Sequence, residues 1–402
     1  MLAATIRVTR DLDAAEEAVQ EAYVSALRTW GRDGIPTRPG AWLTTTARRQ
    51  ALNGLRRGRT AERKLPLLVT REVEVEESDP DAIPDDRLRL VFTCCHPALA
   101  PEAQVALTLR LVCGVATPDV ARALLVSETT MAARITRAKQ KIAVARIPYV
   151  EPEPAERPAR LDAVLTVVHL VHSTGHTAPS GPDLVRDDLA ERALDLARML
   201  HRLMPDEPEV TGLLALLLSH HARRATRTDA EGRIVRLADQ DRSRWDPVLI
   251  AEVDRLVVAA LGARRPGRFA LQAAIASLHA QAPSYAETDW PQVVQLYDAL
   301  RAVWPSPVVD LNRAVAVAEV DGPEVALALV EAVAADGRLD RYPYLPATRA
   351  DLLDRLGRTA EALADTQRAL ALTDNAAEQA HLQRRIAALS GRVPQRGTSG
   401  QS

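Results

Sequence analysis

The sequence is poor in cysteine and aromatic residues and has no long apolar run. Its three cysteines in 402 residues exclude a disulfide framework and fit a reducing compartment, so we expect a cytoplasmic protein. No apolar run approaches the roughly 18 residues of a membrane-spanning helix, and the first residues lack the apolar core of a signal peptide. Aromatic residues make up only 3% of the chain, while alanine and leucine dominate, which favours helix over sheet.

Positive and negative charges nearly cancel over the whole chain, with 51 basic and 53 acidic residues, but they are separated into blocks. Residues 48–64 hold seven basic side chains and one acid, and residues 103–146 hold seven bases and two acids. Between them, residues 72–86 hold eight acids and no base. The total charge predicts no polyanionic partner, so any nucleic-acid surface has to be sought in the two basic blocks.

Two segments without helical pattern divide the chain. One is the acidic stretch, which is typical of a flexible linker, and the other contains four prolines between Pro148 and Pro158 and cannot continue a helix. The predicted divisions are a first domain 1–65, an acidic linker 66–86, a second domain 87–147, a proline-rich linker 148–159, a helical extension 160–390 and a disordered tail 391–402.

Nearly every other segment has the apolar period of a helix, and none alternates like a strand. Asp13 and Glu16 have the spacing of a capping pair. The segments GPEVALAL at Gly322 and GRTAEALAD at Gly357 recur with tetratricopeptide-like spacings, although a general stack of helical hairpins explains them nearly as well. The predicted fold class is therefore all-α. One apolar stripe is predicted to face the core of the first domain: Val19, Ala22, Tyr23, Ala26, Leu27 and Trp30.

The second domain contains the pattern of a helix-turn-helix. Thr117 and Pro118 are expected to cap and open a short helix, and Ser127 caps a basic second helix. Met131, Ile135, Ala138 and Ile142 form its predicted inward stripe. The alternative is an ordinary helical hairpin with a solvated basic face. In the DNA-binding interpretation the N-terminal residues face base edges and the basic ones hold phosphates; the candidate residues are Glu128, Thr129, Thr130, Ala132, Ala133, Arg134, Arg137 and Lys141.

The first domain contains a basic helix with a similar division of faces. Leu43, Ala47, Ala51 and Leu55 form the predicted buried side. A basic helix beside an aromatic residue and a glycine- and proline-containing loop suits single-stranded DNA, whose bases stack on aromatic rings. A solvated arginine-rich helix with Trp42 as a core anchor is the alternative. The candidate DNA-binding residues are Trp42, Thr45, Arg48, Arg49, Asn53, Arg56 and Arg57.

Taken together, these segments resemble the extracytoplasmic-function group of the sigma-70 family of RNA polymerase sigma factors. DLDAAEEAVQEAYVSALRTW is similar to their polymerase-binding helix, PGAWLTTTARRQALNGLRR to their −10 reader, and the helix-turn-helix to their −35 reader. LVFTCCHPALAPEAQVALTLRLVCG, QDRSRWDPVLIAE and SPVVDLNRAVAVAEVDGPEVAL resemble the subgroup with a long tetratricopeptide-like extension. Relatives carry more helical sequence before the position of Asp11, so the first domain is expected to begin short here.

The resemblance implies a specificity subunit for transcription initiation and no enzyme. Its partners would be core RNA polymerase, bound through Glu17, Gln20 and Glu21, and promoter DNA, with a protein partner or regulatory role for the extension. The loop from Gly31 to Gly40 would receive a flipped base, and the acidic linker would thread a basic polymerase channel. The rival interpretation is a helix-turn-helix regulator with a helical-repeat interaction domain, which would not need the first domain.

A metal-dependent enzyme is a third hypothesis. His169, His172 and His176 share a helical face, but no carboxylate accompanies them and Gly175 is expected to break the helix. Cys94 and Cys95 are adjacent and cannot easily both face one tetrahedral ion. We therefore interpret these residues as partly buried histidines and small core cysteines, and expect no metal or cofactor. No phosphate-binding glycine loop or hydrolase elbow is present either.

Overall fold

The computed structural model describes residues 1–62, 83–124, 126–262 and 265–392. The chain divides into two compact units, Met1–Leu170 and Val171–Ser402. Residues 66–82 of the predicted acidic linker and 393–402 of the predicted tail lie outside the described residues. The all-α prediction is confirmed, and in the described part of the chain the strands amount to one pair of two residues each.

The first unit contains seven helices and the start of an eighth among its described residues. A π-helical turn over Thr108–Val112 follows the fifth helix. The helices are α1 (Leu2–Thr9), α2 (Leu12–Asp33), α3 (Pro39–Glu62), α4 (Ile83–Cys94), α5 (Pro101–Leu107), α6 (Thr117–Ala123), α7 (Glu128–Val144) and α8 (Arg157–His176), which continues into the second unit.

Most helices of the second unit pack against the next helix in the chain, as expected for hairpins that cover one another's apolar faces. The helix over Pro208–Ala222 also packs closely against the helix over Arg268–Gln281, which is not its neighbour in sequence. Its elements are β1 (Ser180–Gly181), α9 (Asp187–Leu203), α10 (Pro208–Ala222), α11 (Pro247–Leu261), α12 (Arg268–Gln281), α13 (Trp290–Val303), α14 (Pro307–Val320), α15 (Pro323–Ala335), α16 (Tyr344–Arg355), α17 (Thr359–Ala371), β2 (Asp374–Asn375) and α18 (Ala376–Ser390).

The prediction for the buried face of α2 was wrong in its larger members. Tyr23 is 51% exposed and Leu27 is 81% exposed. Ala22 and Ala26 of the predicted stripe are buried as expected, and Val19 and Trp30 are half-buried. The buried line continues toward the start of the helix mainly through small alanines, which allows α2 to pack closely on α1 and α3. The buried residues are Leu12, Ala15, Ala18, Ala22 and Ala26.

Two helix starts also differ from the prediction. Asp11, not Asp13, caps α2: its Oδ1 accepts the backbone N–H groups of Asp13 and Ala14 at 2.8 and 2.9 Å. Thr117 is the first residue of α6 and Ala116 precedes it, so the expected threonine cap is absent at this described helix start. Both shifts are two residues or fewer, the usual uncertainty of a helix boundary.

Glycines permit the closest contacts of the second unit. α8 continues through Gly175 to His176. A Cβ on Gly175 would lie 2.5 Å from the backbone nitrogen of Ala190, so the absence of a side chain at Gly175 allows α8 to pass directly against α9. The expected helix break before His176 is therefore wrong. Gly322 and Gly357, which begin the two recurring segments, have φ of 93° and 74°, a left-handed conformation that favours glycine.

The strand pair brings the beginning and end of the second unit together. β1 and β2 are parallel, and Asn375 in β2 is fully buried. Its Nδ2 donates to the carbonyl oxygens of Ala178 and Asp183 at 3.0 and 2.8 Å, while its Oδ1 accepts two N–H groups at the start of α18. All of these polar groups are satisfied, which is the condition for burying an asparagine.

Candidate nucleic-acid interface

The helix-turn-helix is built by α6 and α7, which pack together after a short turn. The hydroxyl of Ser127 accepts the backbone N–H of Thr130 at 3.2 Å, which confirms the predicted cap of α7. The predicted inward stripe is also confirmed: Met131, Ile135, Ala138 and Ile142 are all buried. This core fixes which side of α7 faces solvent.

The exposed side of α7 carries all the residues predicted to read the −35 element. Arg134 is half-buried, and the remaining members are exposed. Arg137 keeps its Nε near the helix by donating to the Ala133 carbonyl oxygen at 3.3 Å. No ion pair with a described residue involves Arg134, Arg137 or Lys141. The charges of these three side chains are therefore available to phosphates. The set consists of Glu128, Thr129, Thr130, Ala133, Arg134, Arg137 and Lys141.

Lys139, a fourth basic residue of α7, has a different role, which the sequence did not reveal. Lys139 is largely buried, and its Nζ forms ion pairs with Asp13 at 2.7 Å and with Glu16. Arg110 reaches Glu16 as well, at 2.8 Å. Burial by itself lowers the pKa of Lys139, but its hydrogen bonds to Asp13 and Glu16 outweigh burial and raise the pKa above its usual value. Ion pairs thus connect the start of α2 to α7.

The basic helix α3 separates its faces as the sequence predicted, except that Leu43 and Leu55 of the predicted buried side are half-buried. Ala47 and Ala51 are buried, whereas Thr45, Arg49 and Asn53 are exposed at intervals of four residues along one face. Arg48 is half-buried, and its Nε is buried with no hydrogen-bond partner among the described residues. Arg56 and Arg57 lie on the same helix, and their side chains are outside the described residues.

Trp42 lies in the first turn of α3, which begins at Pro39. It is half-buried, and its ring meets that of Trp30 edge-to-face with centroids 5.5 Å apart. Trp42 is therefore an anchor between α2 and α3 that keeps part of its surface in solvent. The predicted loop of residues 31–40 is shorter than expected, because α2 extends to Asp33 and α3 begins at Pro39.

The outer face of α2 carries both polar and apolar residues. Glu17 and Gln20, two of the three predicted polymerase-binding residues, are exposed, and Glu21 is half-buried. Tyr23 and Leu27, which the sequence assigned to the core, lie exposed farther along the helix. Residue size is the feature of the sequence that would have predicted the exposure of Tyr23 and Leu27. The alanines of α2 alone complete a close-packed face, which leaves no room in it for larger side chains.

The structure separates the two groups of candidate metal ligands. His172, His176 and His220 come together, with ring centroids 4.5–5.4 Å apart. The sequence identified two of these three, and missed His220 because it lies on another helix. Cys94 and Cys95 are buried, and burial raises the pKa of the Cys94 thiol well above its usual value and that of Cys95 to about 12, so both stay protonated.

Comparisons with known proteins match the three parts of the chain separately. Residues 2–60 match the family Sigma-70 region 2, residues 89–142 match Sigma-70, region 4, and residues 160–261 match a family of unknown function, DUF6596. An uncharacterised protein of Rhizobium meliloti (strain 1021) is 45% identical over 392 residues, which cover 96% of this chain and 92% of that protein.

A solved structure was also found. The crystal structure of yeast Tom70 is 12% identical and covers 95% of this chain and 81% of its own, with a TM-score of 0.39. Agreement at that level does not establish a common fold. Within the described residues, no helix combines the length and apolar character needed to cross a membrane.

Proposed function

Because the chain belongs to the extracytoplasmic-function group of the sigma-70 family of sigma factors, we propose that it binds core RNA polymerase in the cytoplasm and directs it to promoters through two DNA contacts. The family assigns it a role in transcription initiation as a non-enzymatic regulator. The observation that carries the finer proposal is the exposed face of α7, whose basic residues have no acidic partner among the described residues.

The proposed −35 contact uses α7 in the major groove. Thr129 and Ala133 lie near the N-terminus of the helix and are exposed, where side chains of a recognition helix reach base edges. Arg134 and Arg137 follow on the same exposed side and hold the phosphates that fix the register. The buried stripe of α7 keeps this side turned outward whether or not DNA is bound.

The proposed −10 contact uses α3 on unpaired DNA. Arg49 and Asn53 supply charge and a hydrogen-bonding amide on the exposed face, and the partly exposed Trp42 offers an aromatic surface at the beginning of the helix. The connection over residues 34–38 is the proposed receptor for a flipped base, whose extrusion costs a few kcal/mol. Two weak contacts on one polymerase gain specificity through effective concentration.

The proposed polymerase contact uses the outer face of α2. Glu17, Gln20 and Glu21 supply its polar part, and Tyr23 and Leu27 supply an exposed apolar part. An exposed pair of large apolar side chains next to acidic ones has the composition of a protein interface. The helical extension is proposed to regulate initiation from within the chain; the alternative is an independent module that binds a protein partner.

The test is reconstitution of the full chain with core polymerase. We expect co-migration in gel filtration and run-off transcripts from specific genomic fragments. Arg49→Ala and Asn53→Ala should reduce permanganate reactivity of melted thymines more than they reduce closed-complex binding, while the exposed control Arg338→Ala should change neither. Specific DNA binding without core polymerase, combined with no co-migration, would instead identify the helix-turn-helix regulator.

A further inference from the structure

Three histidines of the second unit form a compact cluster that the proposed function does not use. His172 and His176 are one turn apart on α8, and His220 faces them from α10. Each offers one ring nitrogen, and these three nitrogens all lie within 4.8 Å of one another. We propose that His172, His176 and His220 bind a divalent transition-metal ion of the zinc class.

The first support is a polar atom that the protein leaves unsatisfied. The Nδ1 of His220 is buried and has no hydrogen-bond partner among the described residues. Leaving such an atom without a partner is unfavourable, so a buried orphan nitrogen calls for a ligand. A metal ion shared with two neighbouring imidazoles would satisfy it.

The second support is the burial of the cluster. His172 is only 3% exposed, and His176 and His220 are half-buried. Partial removal from bulk water strengthens the attraction between an ion and its ligands.

Binding requires the three ring nitrogens to move closer together. With Zn–N bonds of about 2.0–2.1 Å, two nitrogens on one tetrahedral ion lie about 3.3 Å apart. The nitrogens of the cluster now lie within 4.8 Å of one another. The rings of His176 and His220 are stacked, with centroids 4.5 Å apart, so the proposal requires them to turn about their side-chain bonds until their nitrogens face a common ion.

The donor set and its surroundings select the kind of ion. Three imidazoles without a carboxylate suit zinc, copper, nickel or cobalt, and exclude the oxygen-seeking calcium and magnesium ions. Three protein ligands leave a fourth position for water. Arg223 and Arg227 also lie near His220 and lower its pKa. Both guanidiniums repel a dication, so the ion should bind less tightly than at a site with acidic ligands.

Zn²⁺ titration of the full chain tests the proposal directly. Untagged, chelator-treated protein should bind one Zn²⁺ per chain in calorimetry, and the ion should raise the unfolding temperature of the second unit. His220→Leu and His176→Phe should each weaken binding by at least about tenfold. His221→Leu is the matched control, since His221 is the next residue on α10 and stands outside the cluster; it should bind as the wild type does.

Cobalt supplies a second measurement that does not depend on stability. Co²⁺ bound to the full chain should give an absorption spectrum of nitrogen and oxygen ligands, without a thiolate charge-transfer band, and Zn²⁺ should displace it. The proposal is overturned if wild type binds no Zn²⁺ in stoichiometric amount, if both cluster variants bind it as well as His221→Leu does, or if a thiolate band appears. Should His220→Leu fail to fold, His176→Phe decides.

Discussion

On α7, the proposed −35 contact predicts two kinds of residue, those that hold phosphates and those that read bases. Arg134→Ala combined with Arg137→Ala should weaken promoter binding by the holoenzyme and reduce the slope of log K against log salt by about 2, because each phosphate contact contributes about 0.9 to that slope. Filter binding over a range of salt concentrations measures both. Arg338→Ala, an exposed arginine of the second unit, is the charge control and should leave the slope unchanged.

Replacement of a residue proposed to face the bases should change base preference and not the salt dependence of binding. Replacing Thr129 or Ala133 should alter base preference at one position of the −35 element, by about 1–3 kcal/mol, and leave the salt slope as it was. Selection from a randomised promoter library would show the position. An unchanged slope in the double arginine variant, or a uniform loss of affinity on replacing Thr129, would contradict the placement of α7 in the groove.

A single glycine decides how closely α8 and α9 pack. Gly175→Ala places a methyl group 2.5 Å from the Ala190 nitrogen and 2.9 Å from the Arg186 carbonyl oxygen, which are both backbone atoms. Overpacking against backbone should lower the unfolding free energy by about 1–3 kcal/mol or more, as measured by denaturant titration. Gly54→Ala is the control, because it meets nothing within 4 Å in the middle of α3 and should stabilise by about 0.5–1 kcal/mol.

At the scale of elements, the attachment of α7 to α2 should depend on pH. The folded-state pKa of Lys139 is above its usual value of 10.5, so its contribution to stability is complete below 10.5 and is lost as pH rises through the folded-state pKa. We therefore expect the stability difference between wild type and Lys139→Met to be constant from neutral pH to about 10 and to shrink above it. Urea titrations at several pH values measure this difference.

The matched control for the pH series is Lys141→Met. Lys141 is two residues away on the same helix, is exposed, and forms no ion pair with a described residue. Its replacement should change stability by less than about 0.5 kcal/mol at every pH. If Lys139→Met also left the unfolding free energy unchanged at pH 7, the ion pairs with Asp13 and Glu16 would contribute nothing to stability.

Patterns within single helices could be predicted from the sequence, and contacts between distant segments could not. The Ser127 cap and the inward stripe both belong to α7, so the spacing of residues along one helix determines them. Lys139 and Asp13 are 126 positions apart, and no periodicity links them. On α2 the sequence pattern failed for a different reason: it ranked side chains by apolarity, whereas close helix packing selected the small alanines.

At the scale of the whole molecule, the place where the chain is cut determines what a truncation measures. A chain ending at Pro148 loses Tyr149, whose hydroxyl lies 2.9 Å from the Ala3 carbonyl oxygen and 2.8 Å from that of Asp86. It also loses Arg160, which donates to the Phe92 carbonyl oxygen at 2.6 Å. We expect residues 1–148 to unfold at a lower temperature than residues 1–179, as calorimetry would show.

The longer truncation is therefore the one that tests regulation by the extension. If the extension controls initiation from within the chain, residues 1–179 should differ from the full chain in transcription rate or promoter choice. Identical run-off rates on the same promoters, without an added partner, would favour the independent interaction module. The comparison uses both proteins at equal occupancy of core polymerase, so that a difference in assembly is not read as regulation.

The exposure of Lys141 and the ion pairs of Lys139 have a practical consequence for chemical footprinting. The chain has three lysines among 51 basic residues, and two of them lie on α7. An amine-acylating reagent therefore marks α7 with little background from other lysines. Lys141 should be acylated first, and Lys139 only after its ion pairs with α2 open. Mass spectrometry of the two sites would therefore distinguish two events. Protection of Lys141 would report DNA bound on α7, and labelling of Lys139 would report separation of α2 from α7.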